Sequence, residues 1–196
     1  EPEKIMATAR LLCGDWVPGH ANHVRRPPSI RTGNANQMVE RFHQRVVLLA
    51  FPAPSATHEL DETSEAVAAI LGGINSRFYW NIVQKGLCTR AGAVREEYGD
   101  FGLLIFYALC EPENSNQILD AIRHEIRQLV TTGPEPKEIQ RVKNLRRTAL
   151  TVESEAPFYR LGQIADDMDY LGHPRSAEER INAVDAICDQ TIAEHF

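Results

Sequence analysis

LGGINSRFYWNIVQKGL, residues 71–87, joins two runs of helical sequence through a pair of glycines. Upstream, a helix beginning near Glu62 places Val67, Ile70 and Leu71 on one face at amphipathic spacing. It then meets Gly72 and Gly73, which weaken a helix and allow two backbones to approach closely. Asn75 or Ser76 is positioned to cap a second helical run over residues 77–84. Gly86 ends that run and hands the chain to a strand. The stretch therefore predicts a kinked helix feeding directly into a sheet.

Working outward, the N-terminal sequence EPEKIMATARLLCGDW has Pro2 at a helix start, Ile5, Met6, Ala9 and Leu12 at helical spacing, and Gly14 as a stop. Residues 17–36 hold three prolines and little periodic hydrophobicity, which predicts a long surface connection containing His20 and His23. Alternation at Met38, Glu40 and Phe42 leads into the apolar block 46–51, read as a strand entering the centre of a sheet and ended by Pro52 and Pro54. After Gly86, two strands separated by Gly99-Asp100 form an antiparallel hairpin, the second (103–109) apolar enough to be buried on both faces.

Three amphipathic helices follow. Their stripes are Ile118, Leu119, Ile122, Ile126 and Leu129; then Ile139, Val142, Leu145, Ala149 and Val152; then Phe158, Leu161, Ile164, Ala165 and Met168. Gly133-Pro134 separates the first two, and Pro157 starts the third. A short helix, a break near Asp185 and a new helix finish the chain. Strands first and helices later predict an α+β fold: a mixed, largely antiparallel sheet with long helices packed on one face.

Leu71, Gly72, Gly73, Ser76, Arg77, Phe78, Gly86 and Leu87 resemble the wording LGGGMSSRLF…REKRGLAY of the second-half domain of the pitrilysin/insulinase family of zinc metallopeptidases. The later segments PENSNQILDAIRHEIRQL, PKEIQRVKNLRRTAL and RLGQIADDMDYLG resemble it in order and spacing, so nearly the whole chain is covered. The resemblance implies a single inactive peptidase-family domain over residues 1–196, lacking its first strand and truncated in its last helix. It further implies zinc in the parent enzyme or partner chain, and none in this domain. The implied partners are a catalytic zinc-bearing domain or sister subunit in a homo- or heterodimer, and an unfolded peptide substrate.

The family's catalytic half carries His-x-x-Glu-His, in which two imidazoles bind zinc and the Glu acts as general base on the metal-bound water. Neither that wording nor His-Glu-x-x-His occurs among the seven histidines. His58-Glu59 and His124-Glu125 lack a second His at the needed spacing, and His195 is one residue from the end. His20-x-x-His23 is the one close pair, without an acidic or thiol partner nearby, and reads as solvated loop histidines. The second half usually adds an Arg and a Tyr that reach the scissile peptide. The resemblance puts those roles at Ile82 and Thr89, where neither side chain has the reach or the donor. Ser76 and Arg77 read first as helix cap and structural donor and are the substrate-contact candidates.

Composition narrows the alternatives. The 196 residues, 43% hydrophobic, suit one domain with a substantial core. A net charge of −6 with scattered basic residues argues against a nucleic-acid surface. No apolar run approaches the ~20 residues of a membrane span. Cys13, Cys88, Cys110 and Cys188 lie far apart and read as buried or half-buried free thiols, leaving a bacterial cytoplasmic or periplasmic setting open. Three readings follow: a non-catalytic peptidase domain enclosing peptide, a scaffold subunit of the same fold, or an unrelated α+β binding module.

Overall fold

A computed structural model describes residues 1–17, 19, 28–41 and 43–196. In order, the elements are α1 (Pro2–Cys13), β1 (Arg45–Ala53), α2 (Asp61–Gly72), a π-helical segment (Tyr79–Val83), β2 (Arg90–Glu97), β3 (Gly102–Cys110), α3 (Ser115–Thr132), α4 (Pro136–Glu155), α5 (Pro157–Tyr170), α6 (Ala177–Asp185) and α7 (Asp189–His195). This is the expected α+β arrangement.

The strands run β1-β3-β2 with both ladders antiparallel. The block 46–51 was expected in the middle of the sheet, yet β1 lies at its end and β3 is central. The reason is one-sided burial. Val46 and Leu48 remain 56% and 63% exposed, so this apolar run covers one face and leaves the other open. Pro52 lies inside β1 opposite Leu103 rather than ending it, which an end strand tolerates because one of its sides carries no ladder among the described residues. β3 likewise is not buried twice: Leu104, Phe106, Ala108 and Cys110 are buried, while Leu103, Ile105, Tyr107 and Leu109 are half-buried. Met38 and Glu40 lie outside the strand, and Phe42 lies outside the described residues.

The core forms where α2 and α3 meet the buried face of the sheet. Val67, Ile70 and Leu71 of α2, Phe78 and Ile82 beyond it, Phe106, and Ile118, Ile122 and Leu129 of α3 are essentially inaccessible. The Phe78 and Phe106 rings meet edge-to-face at 5.8 Å, a favoured aromatic geometry.

Two helices depart from their predicted packing. α1 buries none of its residues. α5 turns its apolar stripe outward: Phe158, Leu161 and Met168 are 83%, 63% and 51% exposed, and its one buried residue is Asp167. Pro157 restricts Ala156 to an extended conformation (φ −92°, ψ 112°), which breaks the chain sharply between α4 and α5. Asp167 then faces Arg175 and Arg180. Leu145 and Val152 of α4 are also exposed, with Val142 and Leu150 taking the inward positions.

Beside the buried Leu150, Val184, Ile187 and Ile192, an ionic network ties this end of the molecule together. Asp167 accepts from the Arg175 backbone N–H at 2.8 Å, from Arg175 Nε at 2.9 Å and from Arg180 at 2.6 Å. Arg175 also approaches Asp61 at 3.6 Å, and Asp61 contacts Arg95 of β2. Arg146 of α4 forks onto Glu62 at 2.8 and 3.0 Å. Finally, His195 Nε2 lies 2.9 Å from the Ser64 hydroxyl, so α7 closes over α2, with His195 Nδ1 buried and unpartnered.

Two groups in this cluster titrate in opposition. Burial, with help from Arg95 and His58, holds His195 down at about 4. Burial pushes Asp61 up to about 6 against the pull of Arg95. Between pH 4 and 6.5 the unfolded chain takes a proton on His195 that the native state refuses, so this group makes stability rise with pH and then level off. Native Asp61 keeps a proton that the unfolded chain gives up near pH 4, so stability falls as pH climbs towards 6. Each effect amounts to about 3 kcal/mol at most, because a tenfold change in proton affinity is worth ~1.4 kcal/mol. His195→Gln should therefore tilt urea-unfolding stability downward between pH 4.5 and 6.5 relative to wild type, and Asp61→Asn upward. Slopes that move together would contradict this account.

Candidate functional site

The glycine pair does what its chemistry allows. A Cβ on Gly72 would sit 1.9 Å from the Ala93 backbone nitrogen, so only glycine lets α2 pack directly on the β2 backbone. The Ser76 hydroxyl, 1% exposed as a residue, accepts from the Tyr79 N–H at 3.2 Å and so starts the next helical turn. Gly86 adopts φ +73° where that turn ends.

Arg77 is held as firmly. Its Nε and NH2 donate to the two Glu138 oxygens at 2.9 and 2.7 Å, and NH2 also to Gly133 O at 3.1 Å. This pins the α3–α4 junction to the turn after α2. Burial alone would raise the Glu138 carboxyl, but Arg77 and the Glu135 N–H hold it below the usual range. Ser76 and Arg77 lie on a polar cleft of about 790 Å³, shared with Trp80, His124, Glu125 and Lys137. Asn81 donates to Glu125 across it at 2.9 Å. Its main charged groups are thus already engaged with one another, and a peptide would reach Ser76 and Arg77 only by entering this cleft.

The remaining sequence candidates are scattered. Ile82 is wholly buried in the core, and the Thr89 hydroxyl donates to Leu109 O at 3.2 Å. His58 accepts from the Leu60 N–H through Nδ1, His124 is exposed, and His20 and His23 lie outside the described residues. Among the described residues no group of three or more His, Cys, Asp or Glu is placed to hold a metal ion. The donor set therefore does not fit zinc there. Cys88 and Cys110 are buried free thiols, whereas Cys13 and Cys188 prove exposed because each lies at a helix end on the surface. No helix among the described residues is long and apolar enough to cross a membrane.

The sheet face turned away from α2 and α3 is the other candidate. Register places Val46 and Leu48 of β1, Leu103, Ile105, Tyr107 and Leu109 of β3, and Arg90, Gly92, Val94 and Glu96 of β2 on it together. Val94 is 43% exposed, so this floor is apolar and open from β1 to β2. The strands themselves are legible in the sequence, but not which of their residues share this face. The alternation of Arg90, Gly92, Val94 and Glu96 was the available signal, and only pairing with β3 gives it meaning. The ionic cluster was likewise missed, since its members fall on segments far apart in the sequence.

The family model described as the peptidase M16 inactive domain matches residues 1–146. No curated protein matches the chain. Among solved structures, the inactive peptidase domain of a candidate zinc protease from Bordetella parapertussis aligns at TM-score 0.69 and 17% identity, covering 78% of this chain and 84% of that one. A protease from Helicobacter pylori aligns at TM-score 0.83 and 14% identity over 99% of this chain and 49% of that one. A chain of complex III from Candida albicans aligns at TM-score 0.69 and 20% identity, over 80% and 40%. At these identities the likenesses show a shared fold. The chain spans about half the length of the Helicobacter protease and less than half of the complex III chain.

Proposed function

Because the chain belongs to the family of peptidase M16 inactive domains, we propose that it is the non-catalytic part of a zinc peptidase, offering its open sheet face to an unfolded peptide while a zinc-bearing sister domain or subunit carries out hydrolysis. The observation that supports this most is the uncovered apolar face running from Leu48 across Ile105 to Val94. Large apolar patches left exposed on a folded domain mark interaction sites. Extended peptide suits a sheet, because main-chain hydrogen bonds along a strand edge give affinity and side-chain contacts give loose selectivity.

The test uses the 196-residue chain and a fluorescently labelled, casein-derived unfolded peptide followed by anisotropy. Binding is expected without cleavage, with or without added zinc. Leu48→Asp should weaken binding about tenfold, the equivalent of one exposed leucine's burial. Chelator-sensitive turnover by this chain alone would refute the non-catalytic assignment, and an absence of peptide affinity would refute the binding role. The alternative is a scaffold subunit, which the shared fold of the Candida complex III chain favours. A scaffold would bind a companion chain but show no affinity for unfolded peptide.

A further inference from the structure

On the open face, one feature is polar. Arg90 stands opposite Leu109, and Gly92 opposite Tyr107, so Arg90 and Tyr107 are diagonal neighbours on the same side of the sheet. The Arg90 guanidinium carbon lies 5.7 Å from the Tyr107 ring centroid, within cation–π range. Gly92 makes room for this: a Cβ there would fall 2.7 Å from the Tyr107 hydroxyl oxygen, so the ring lies across β2 with its hydroxyl over the neighbouring strand. Contact with the ring face holds the guanidinium without consuming its N–H donors. Among the described residues, neither the Arg90 guanidinium nor the Tyr107 hydroxyl has a hydrogen-bond partner. The acid on the same face of β2 is Glu96, six residues along and roughly 20 Å away at ~3.4 Å per residue.

We infer that Arg90 and Tyr107 form a carboxylate-recognition site on the open sheet face, selecting extended peptides that place an acidic group beside apolar side chains. The guanidinium offers a forked pair of donors that matches a carboxylate, and the phenol adds a third donor. Leu109, Ile105 and Leu48 form the apolar floor next to it, so the complement is one anionic group flanked by apolar residues. The chemistry serves equally a Glu or Asp side chain and a free C-terminus. These residues are distinct from Ile82 and Thr89, and the inference rests on the peptide-binding reading above.

Three labelled apolar peptides separate the cases by anisotropy on the 196-residue chain: one with internal Glu and an amidated end, one with Gln and a free C-terminus, and one with Gln and an amidated end. A carboxylate-bearing peptide is expected to bind about tenfold tighter than the neutral one at low salt, with the advantage shrinking as salt is added. Which of the two carries the advantage identifies the source of the carboxylate. Arg90→Gln should abolish the advantage of the carboxylate-bearing peptide over the neutral one. Tyr107→Phe should keep the ring contact and reduce the advantage a few-fold. Equal affinity for all three peptides would overturn the site while leaving the peptide-binding face intact. If none of them binds, both readings fall. Arg90 is exposed, so its variant should retain the wild-type urea midpoint, which confirms folding.

Discussion

Gly72→Ala is expected to destabilise the domain by about 3 kcal/mol or more, at the upper end of what overpacking costs. In an ordinary helix interior the same change is favourable by up to ~1 kcal/mol, because alanine has the better helix propensity. Geometry reverses the sign here. The added Cβ would meet the Ala93 nitrogen at 1.9 Å and the Gly92 carbonyl carbon at 2.4 Å. Those are backbone atoms of β2, with no flexible side chain to swing aside, so α2 must lift from the sheet and loosen Val67, Ile70 and Leu71. Gly162→Ala in α5 is the matched control, since nothing lies within 4 Å of its prospective Cβ. It should gain about 0.5–1 kcal/mol. Urea midpoints of the two variants should move in opposite directions, and a Gly72→Ala protein as stable as wild type would refute the close approach.

The second large effect is expected at Asp167, the inward-facing residue of a helix whose apolar side points out. Asp167→Ala removes the acceptor for two Arg175 donors and for Arg180 together. Arg180 is itself 8% exposed with an unpartnered Nε, so its charge would be stranded. Breaking a buried pair from one side costs about 3–5 kcal/mol. Burial alone would raise the Asp167 carboxyl, yet the Arg175 N–H and guanidinium, with Arg180, hold it below the usual range. The same contacts should therefore be lost as pH falls below ordinary carboxylate values. Chemical denaturation should report the loss, and amide exchange in α5 and α6 should speed up. A cost under 1 kcal/mol would mean that α5 is held by something other than this cluster.

Much of the architecture could be read directly. The boundaries of α2, α3 and α4, the β2–β3 hairpin, the cap at Ser76 and the close packing at Gly72 follow from signals a few residues long. The open face and the ionic end could not be read so. α5 has as clean an apolar stripe as α3, and periodicity alone sends both inward. α3 finds the sheet, whereas α5 is turned by Asp167, whose partners Arg175 and Arg180 come from beyond its own helix. Block 46–51 looked fit for a sheet centre because continuous hydrophobicity does not reveal how many faces are covered.

By itself, then, the sequence determined the local elements, the turn chemistry around Gly72, Ser76 and Gly86, and the lack of a zinc-binding motif. These depend on spacing along one segment, where propensity and capping act. Tertiary structure alone decided which side of each element faces in. It set β1 at the sheet end, brought Arg90 beside Tyr107 through cross-strand register, and gathered Asp61, Arg95, Asp167, Arg175 and Arg180 from segments more than a hundred residues apart. The free energy of burying a charge or an apolar face depends on what covers it, and no single segment carries that information.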